Sequence, residues 1–236
     1  MNEAARPPVW LVLRVFDEPG QVFAELARRP RALLPILLFV IVNLAVAAAV
    51  PTRVLRGAAE QQFRVLEERN RGAIPPEIRD RALANAGTAT NRVTVFLAAS
   101  VAGLVMVAIA SGVLLLIFNA VSSGEMTFRD EWSIAWHAYV PQVAGIIVTW
   151  LGISLTNDMQ FRLGLGFLVP ADISRFGHSL AQQFTIFGAW NIYLLALGNQ
   201  TRTRAKGIGG ALAIIGTLWV AVNLLFAFLG QFGMAV

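Results

Sequence analysis

Five stretches of this chain contain no Asp, Glu, Lys or Arg: Leu33–Val50, Val95–Val121, Trp136–Leu155, Leu180–Asn199 and Gly209–Gly230. A hydrocarbon core about 30 Å thick takes roughly 20 helical residues to cross. Inside lipid the backbone must satisfy its own hydrogen bonds, which only helices and closed barrels do. The five runs are continuously apolar rather than alternating, so they read as helices. The expected fold is therefore all-α, a polytopic membrane bundle with five transmembrane helices. Composition agrees: 56% of residues are hydrophobic and 14% are charged, against about 25% charged in soluble domains. Mean hydropathy is +0.63. A soluble enzyme and a disordered regulator are both excluded.

The remaining chain divides around these spans. Residues 1–32 form a cytoplasmic or interfacial segment, and 33–236 a membrane domain with an extramembrane loop over 52–92. Asp17-Glu18-Pro19-Gly20 is a helix-start signal, with acids at the cap and proline in the first turn. The helix it opens, Gly20–Arg29, sets Val22, Phe23 and Leu26 on one side and Glu25 and Arg29 on the other. An amphipathic element so close to a span reads as an interfacial helix. Acids at Glu3, Asp17, Glu18 and Glu25 distinguish this leader from a short, positive signal peptide. In the loop, Leu55, Ala58, Ala59, Phe63 and Leu66 recur at helical spacing, and a second helix follows over Glu77–Ala86. The pairs Glu60–Arg64 and Glu77–Arg81 have i,i+4 spacing. Together they predict a helical hairpin outside the membrane. Leu163–Val169 is too short to cross and reads as a re-entrant or interfacial segment.

Basic residues near short loops set orientation. Arg202, Arg204 and Lys206 lie between spans four and five with no acid among them, and Arg28, Arg29 and Arg31 abut span one. These clusters place the N-terminus in the cytoplasm and the C-terminus outside. The 52–92 loop, with eight arginines and five acids, pulls the other way, but its charges are dispersed. A net charge of +5 on such a chain points to anionic membrane lipids rather than nucleic acid.

Reactive chemistry is sparse. There are no cysteines, hence no disulfide, iron–sulfur ligand or thiol nucleophile. None of the five runs carries the charges used by proton-coupled carriers, pumps or voltage sensors. His137 reads as an interfacial residue at the start of span three, and His178 lies near span four. Ser111-Gly112 with His178 is the one protease-like combination, but Ile109-Ala110-Ser111 lacks the glycine a rhomboid-type serine motif would need. No zinc or phosphate-binding motif is found, and no cofactor is expected. Each span contains at least one carboxamide, and one from each is taken as its seam residue: Asn43, Asn119, Gln142, Asn191 and Asn223. In lipid, amides seek interhelical hydrogen bonds worth about 0.6–2 kcal/mol, which predicts a polar seam; a substrate path is the sharper alternative. Ala108 and Gly112 on span two, and Gly209 and Ala213 on span five, are small-residue faces where backbones approach closely. Trp132, Trp136, Trp150 and Trp190 fall near span ends, where interfacial anchors collect.

Pro19-Gly-Gln-Val-Phe23-Ala-Glu-Leu-Ala-Arg-Arg-Pro30-Arg-Ala-Leu-Leu-Pro35 resembles the opening of the bacterial branch of the Yip1 family. Phe187-Gly-Ala-Trp190-Asn-Ile-Tyr-Leu-Leu-Ala-Leu-Gly198, followed by Lys206-Gly207, is similar to its later part. The resemblance implies five spans, a cytoplasmic N-terminus and an external C-terminus in a bacterial inner membrane. Eukaryotic relatives bind prenylated Rab GTPases. This chain lacks their acidic Asp-Leu-Tyr-Gly-Pro type of motif, and it has no carboxylate one turn before Trp190, where bacterial members often carry one. Both departures speak against Rab binding. Two functions stay open: a non-catalytic scaffold or accessory subunit with a membrane-protein partner or a second copy, and a transport component for a neutral or lipid-like substrate. An intramembrane protease ranks below both.

Overall fold

A computed structural model describes residues 7–70, 74–122, 125–156, 161, 163–169, 175–203 and 207–231. Among these the chain is helical and contains no strand. The helices are α1 (Pro8–Leu13), α2 (Pro19–Arg28), α3 (Leu33–Ala49), α4 (Thr52–Asn70), α5 (Pro76–Ala86) and α6 (Ala89–Ser122). They are followed by α7 (Phe128–Ala138), α8 (Val140–Thr156), α9 (Arg175–Gln183), α10 (Ile186–Thr203) and α11 (Gly209–Gln231).

Three helical segments are each long and apolar enough to cross a membrane: Ala89–Ser122, Phe128–Thr156 and Gly209–Phe228. In the most apolar window of the first, only 17% of residues are buried. Val101, Val105, Ile109 and Leu116 are all more than half exposed, a surface that water does not tolerate at this extent. The chain is a multi-pass membrane protein. The other two expected spans are helical but differ in form. At 17 residues α3 meets the length test only together with α4, and the pair bends by 92°. Pro51 sits at that bend, where a missing N–H ends one helix and a fixed φ starts the next. The expected span Leu180–Asn199 runs across a real break. Helix α9 ends at Gln183, and Thr185 caps α10 by accepting a 2.9 Å hydrogen bond from the Gly188 N–H.

The chain forms two compact units. One comprises Met1–Phe39, Leu104–Gly145 and Leu163–Val236; the other comprises Val40–Gly103 and Ile146–Arg162. In the first, Leu11 and Val15, the α2 residues Val22, Phe23 and Leu26, and Leu194 of α10 share one buried core. The apolar side of α2 is therefore committed to protein: Val22, Phe23 and Leu26 are at most 2% exposed, packed with α10 and α7. At its entry Arg14 is paired with Asp17 and, at 3.3 Å, with Glu18. The Asp17 hydrogen bond, then the two carboxylate charges, hold its guanidinium above the ordinary value. The short Leu165–Leu168 turn packs on α9, and a side chain at Gly164 would stand 1.9 Å from the Gln182 carbonyl oxygen.

In the second unit α4 and α5 pack as a hairpin, joined by Glu67 and Arg79 at 4.0 Å. That ion pair crosses between helices, unlike the two i,i+4 pairs read from the sequence. Arg92 closes the base. Its guanidinium donates to the carbonyls of Val50 at 2.6 Å and Gly87 at 3.3 Å, and to the Thr52 hydroxyl. A basic side chain thus serves carbonyls that a helix end leaves open.

Candidate functional site

The polar centre of the first unit is built on α7, which the charge-free window missed. Thr127 caps this helix: its hydroxyl oxygen accepts from the Asp130 N–H, and the Asp130 carboxylate accepts from the Thr127 N–H at 2.8 Å. This reciprocal capping box starts the helix well before Trp136. The candidate span Phe128–Thr156 therefore carries Arg129, Asp130 and Glu131 in its first turn, correcting the expectation of a span that starts at Trp136 and is free of Asp, Glu, Lys and Arg. Pro141, just past the junction at Tyr139, separates α7 from α8 because its ring opposes the carbonyl one turn back.

Carboxylates survive here because each has a partner. Asp130 is 6% exposed and accepts from Arg202 at 3.0 Å. Glu131, wholly buried, accepts from the Asn199 side-chain amide at 3.2 Å. Asn191 donates to the Ala138 carbonyl at 2.8 Å. Going up α7 through 130, 131 and 138, the partners on α10 descend through 202, 199 and 191, so the two helices are antiparallel and bridged at three levels. Between the polar levels Phe23 and Ile134 close over Gly198, where a β-carbon would lie 2.5 Å from the Ile134 methyl and 2.9 Å from the Phe23 ring. Three atoms of this centre are buried without a hydrogen bond: Glu131 Oε2, Asn199 Oδ1 and Arg202 Nε.

Farther along the same helix, Ser133 grips the chain before α3. Its hydroxyl accepts from the Arg31 N–H at 3.0 Å and donates to the Arg31 carbonyl at 2.9 Å. His137, one turn on, is 2% exposed, and its Nδ1 lies 2.9 Å from the Ser133 carbonyl oxygen. It is a core residue, correcting its reading as interfacial. Trp136 is also fully buried, against Phe39 at 5.5 Å between ring centroids; it is no membrane anchor.

The five seam amides take different positions. Asn191 bridges two helices. Asn119 instead clasps the Met126 backbone, donating to its carbonyl and accepting from its N–H at 3.0 Å each. Asn223 donates to Trp219 on its own helix at 2.8 Å. Asn43 is buried and Gln142 half-buried. The small-residue faces are similarly divided: nothing lies within 4 Å of a β-carbon at Gly112 or Gly209, Ala108 is half-buried and Ala213 exposed. Of the basic cluster, Arg202 sits in the last turn of α10, bonded inward to Asp130, while Arg204 and Lys206 lie outside the described residues. His178 is occupied by the Val169 carbonyl at 2.7 Å and the Gln182 amide at 2.6 Å, not by Ser111. Among the described residues no cluster of three His, Asp or Glu could hold a metal. What the arrangement does chemically is fasten α7 to α10 and to the start of α3.

The Yip1 domain, as a family pattern, matches residues 13–230 of the chain. No curated protein and no solved structure matches it.

Proposed function

The chain belongs to the Yip1 family, and on that footing we propose that it is a non-catalytic scaffold or accessory subunit of a larger membrane complex. The observation that carries this reading is where the amides go. A transporter presents such groups to a cavity. Here Asn191, Asn119 and Asn223 are bonded to backbone carbonyls, and none of the five amides lines the cavity at the start of α3 or the one along α11. Open space at Gly112 and Gly209 supports lateral packing against a membrane-protein partner or a second copy. The reading includes five crossings, made by α3, α6, α7 with α8, α10 and α11. Its setting is a bacterial inner membrane.

Two experiments bear on it. Asn191→Leu is expected to lower bundle stability by about 1 kcal/mol in detergent unfolding, with association retained. Loss of a transport activity at unchanged stability would favour a carrier. Native mass spectrometry of gently solubilised membranes should find the chain with a second membrane subunit; a monomer surrounded only by lipid would overturn the scaffold.

Orientation is tested separately. With no native cysteine, Thr203→Cys should react with an impermeant thiol reagent only from the cytoplasm and Ala73→Cys only from outside. The reverse pattern would invert the topology.

A further inference from the structure

Helix α1 is apolar on two opposite sides, and the protein covers only one of them. Residues 7–13 read Pro-Pro-Val-Trp-Leu-Val-Leu, with no charged or amide side chain. Helical hydrogen bonding continues past Leu13. The Arg14 N–H donates to the Trp10 carbonyl at 2.9 Å, and the Glu18 N–H to the Arg14 carbonyl at 2.8 Å. Phe16 therefore keeps register with Val9 and Leu13, at i, i+4 and i+7 on one side of the turn. Leu11 and Val15 fall on the other side, wholly buried in the core they share with α2 and α10. Val9, Leu13 and Phe16 are 56%, 66% and 46% exposed. We propose that this second stripe is inserted in the membrane at the boundary of headgroups and acyl chains, so that α1 is an interfacial anchor wedged between lipid and the bundle.

Three observations point to lipid as what covers the stripe. The first is place. Leu11 lines one cavity together with Leu33, Leu34, Pro35 and Leu37, the first turns of α3. Helix α1 thus lies level with the end of a helix assigned above as a crossing, and the inference rests on that assignment. A helix apolar all round belongs in a protein core or in a membrane; α1 has the core on one side and the end of a crossing beside it.

The second is how the stripe ends. Directly after Phe16 come Asp17 and Glu18, both ion-paired with Arg14. An apolar face that stops at a charged cluster suits a helix lying along the interface with one end in water. Trp10, half-buried on the flank of the stripe, is a residue type that collects at this depth. The third is size. Even if each of the three side chains were as large as an aromatic one, at about 150–250 Å², the exposed part would come to less than about 500 Å². A standard protein interface takes roughly 800 Å² from each partner. The stripe is too small for a second copy and well suited to shallow insertion, and with no charge of its own it needs no anionic lipid.

Because the chain has no cysteine, spin labels can be placed one at a time. The full chain is reconstituted in phosphatidylcholine vesicles with a label at Val9→Cys, Leu13→Cys or Phe16→Cys. Collisions with oxygen, which concentrates in hydrocarbon, are compared with collisions with a water-soluble nickel chelate. Oxygen should dominate at all three positions. The chelate should dominate at Arg81→Cys, an exposed position on α5. Leu37→Cys on α3, a position 44% exposed, reports on the crossing separately. Oxygen at Leu37 with chelate at the three α1 positions would overturn the anchor and leave the crossing standing. Chelate at Leu37 and at the α1 positions alike would overturn both. Labels shielded from both reagents, with spin–spin broadening between chains, would mean that a second copy covers the stripe, and would overturn the anchor as well.

Discussion

Gly198→Leu is expected to separate α2 from α10 and to cost several kcal/mol of stability. A β-carbon alone would meet the Ile134 methyl at 2.5 Å and the Phe23 ring at 2.9 Å. Overpacking by one or a few methylenes in a dense core costs about 1–3 kcal/mol, and leucine adds branches beyond the β-carbon. Neither neighbour can easily yield, since Phe23 is 1% and Ile134 3% exposed. Thermal unfolding in detergent should show the loss, and limited proteolysis should open the chain between α1 and α3. A wild-type midpoint for Gly198→Leu would refute the packing described for α2. Gly198→Ala combined with Phe23→Ala should cost less than the two single changes added together, because the residues share one contact.

At Glu131 the expected order of stability is Gln above wild type above Ala. Its Oε2 and the Asn199 Oδ1 are both buried acceptors without a donor, while its Oε1 already receives the Asn199 amide. Glutamine keeps the accepting oxygen and replaces the unpartnered Oε2 with an N–H₂ that can donate and carries no charge. One added hydrogen bond contributes about 1 kcal/mol net. Alanine removes the acceptor, strands the Asn199 amide and leaves a void, for a loss of about 2–4 kcal/mol. Detergent unfolding of the three proteins decides the matter. A less stable Glu131→Gln would mean that the carboxyl group itself is required there.

The helices were legible to differing degrees, for identifiable reasons. The run Leu33–Val50 matched α3 to within a residue, because prolines and arginines bound its ends. The charge-free criterion placed the start of span three at Trp136, since it treats Asp130 and Glu131 as belonging to water. Thr127-Phe-Arg-Asp130 was the available signal, a capping pattern that marks a helix start irrespective of the charges behind it. Thr185 was a comparable signal inside the run that was taken as span four. Pairing across the bundle was not legible. Asn199 and Arg202 resemble loop-flanking polar residues until α7 supplies Glu131 and Asp130. Ser133 carries no motif that identifies it as the residue holding Arg31. The glycines divide: Gly112 and Gly209, on the small-residue faces, meet open space within the chain, whereas Gly198, outside any such pattern, is where its own helices touch.

The docking of α2 on α10 also has a meaning in time. Phe23 and Gly198 are separated by about 175 residues, which a ribosome working at roughly 5–20 residues per second needs about 10–35 s to add. For that interval Val22, Phe23 and Leu26 have no α10 to cover them. An amphipathic helix in that state is best accommodated at the membrane surface, with its apolar side among the acyl chains. The nascent protein therefore carries a provisional surface anchor, released from lipid only when α10 arrives. Burial of α2 reports that the chain has been completed through α10.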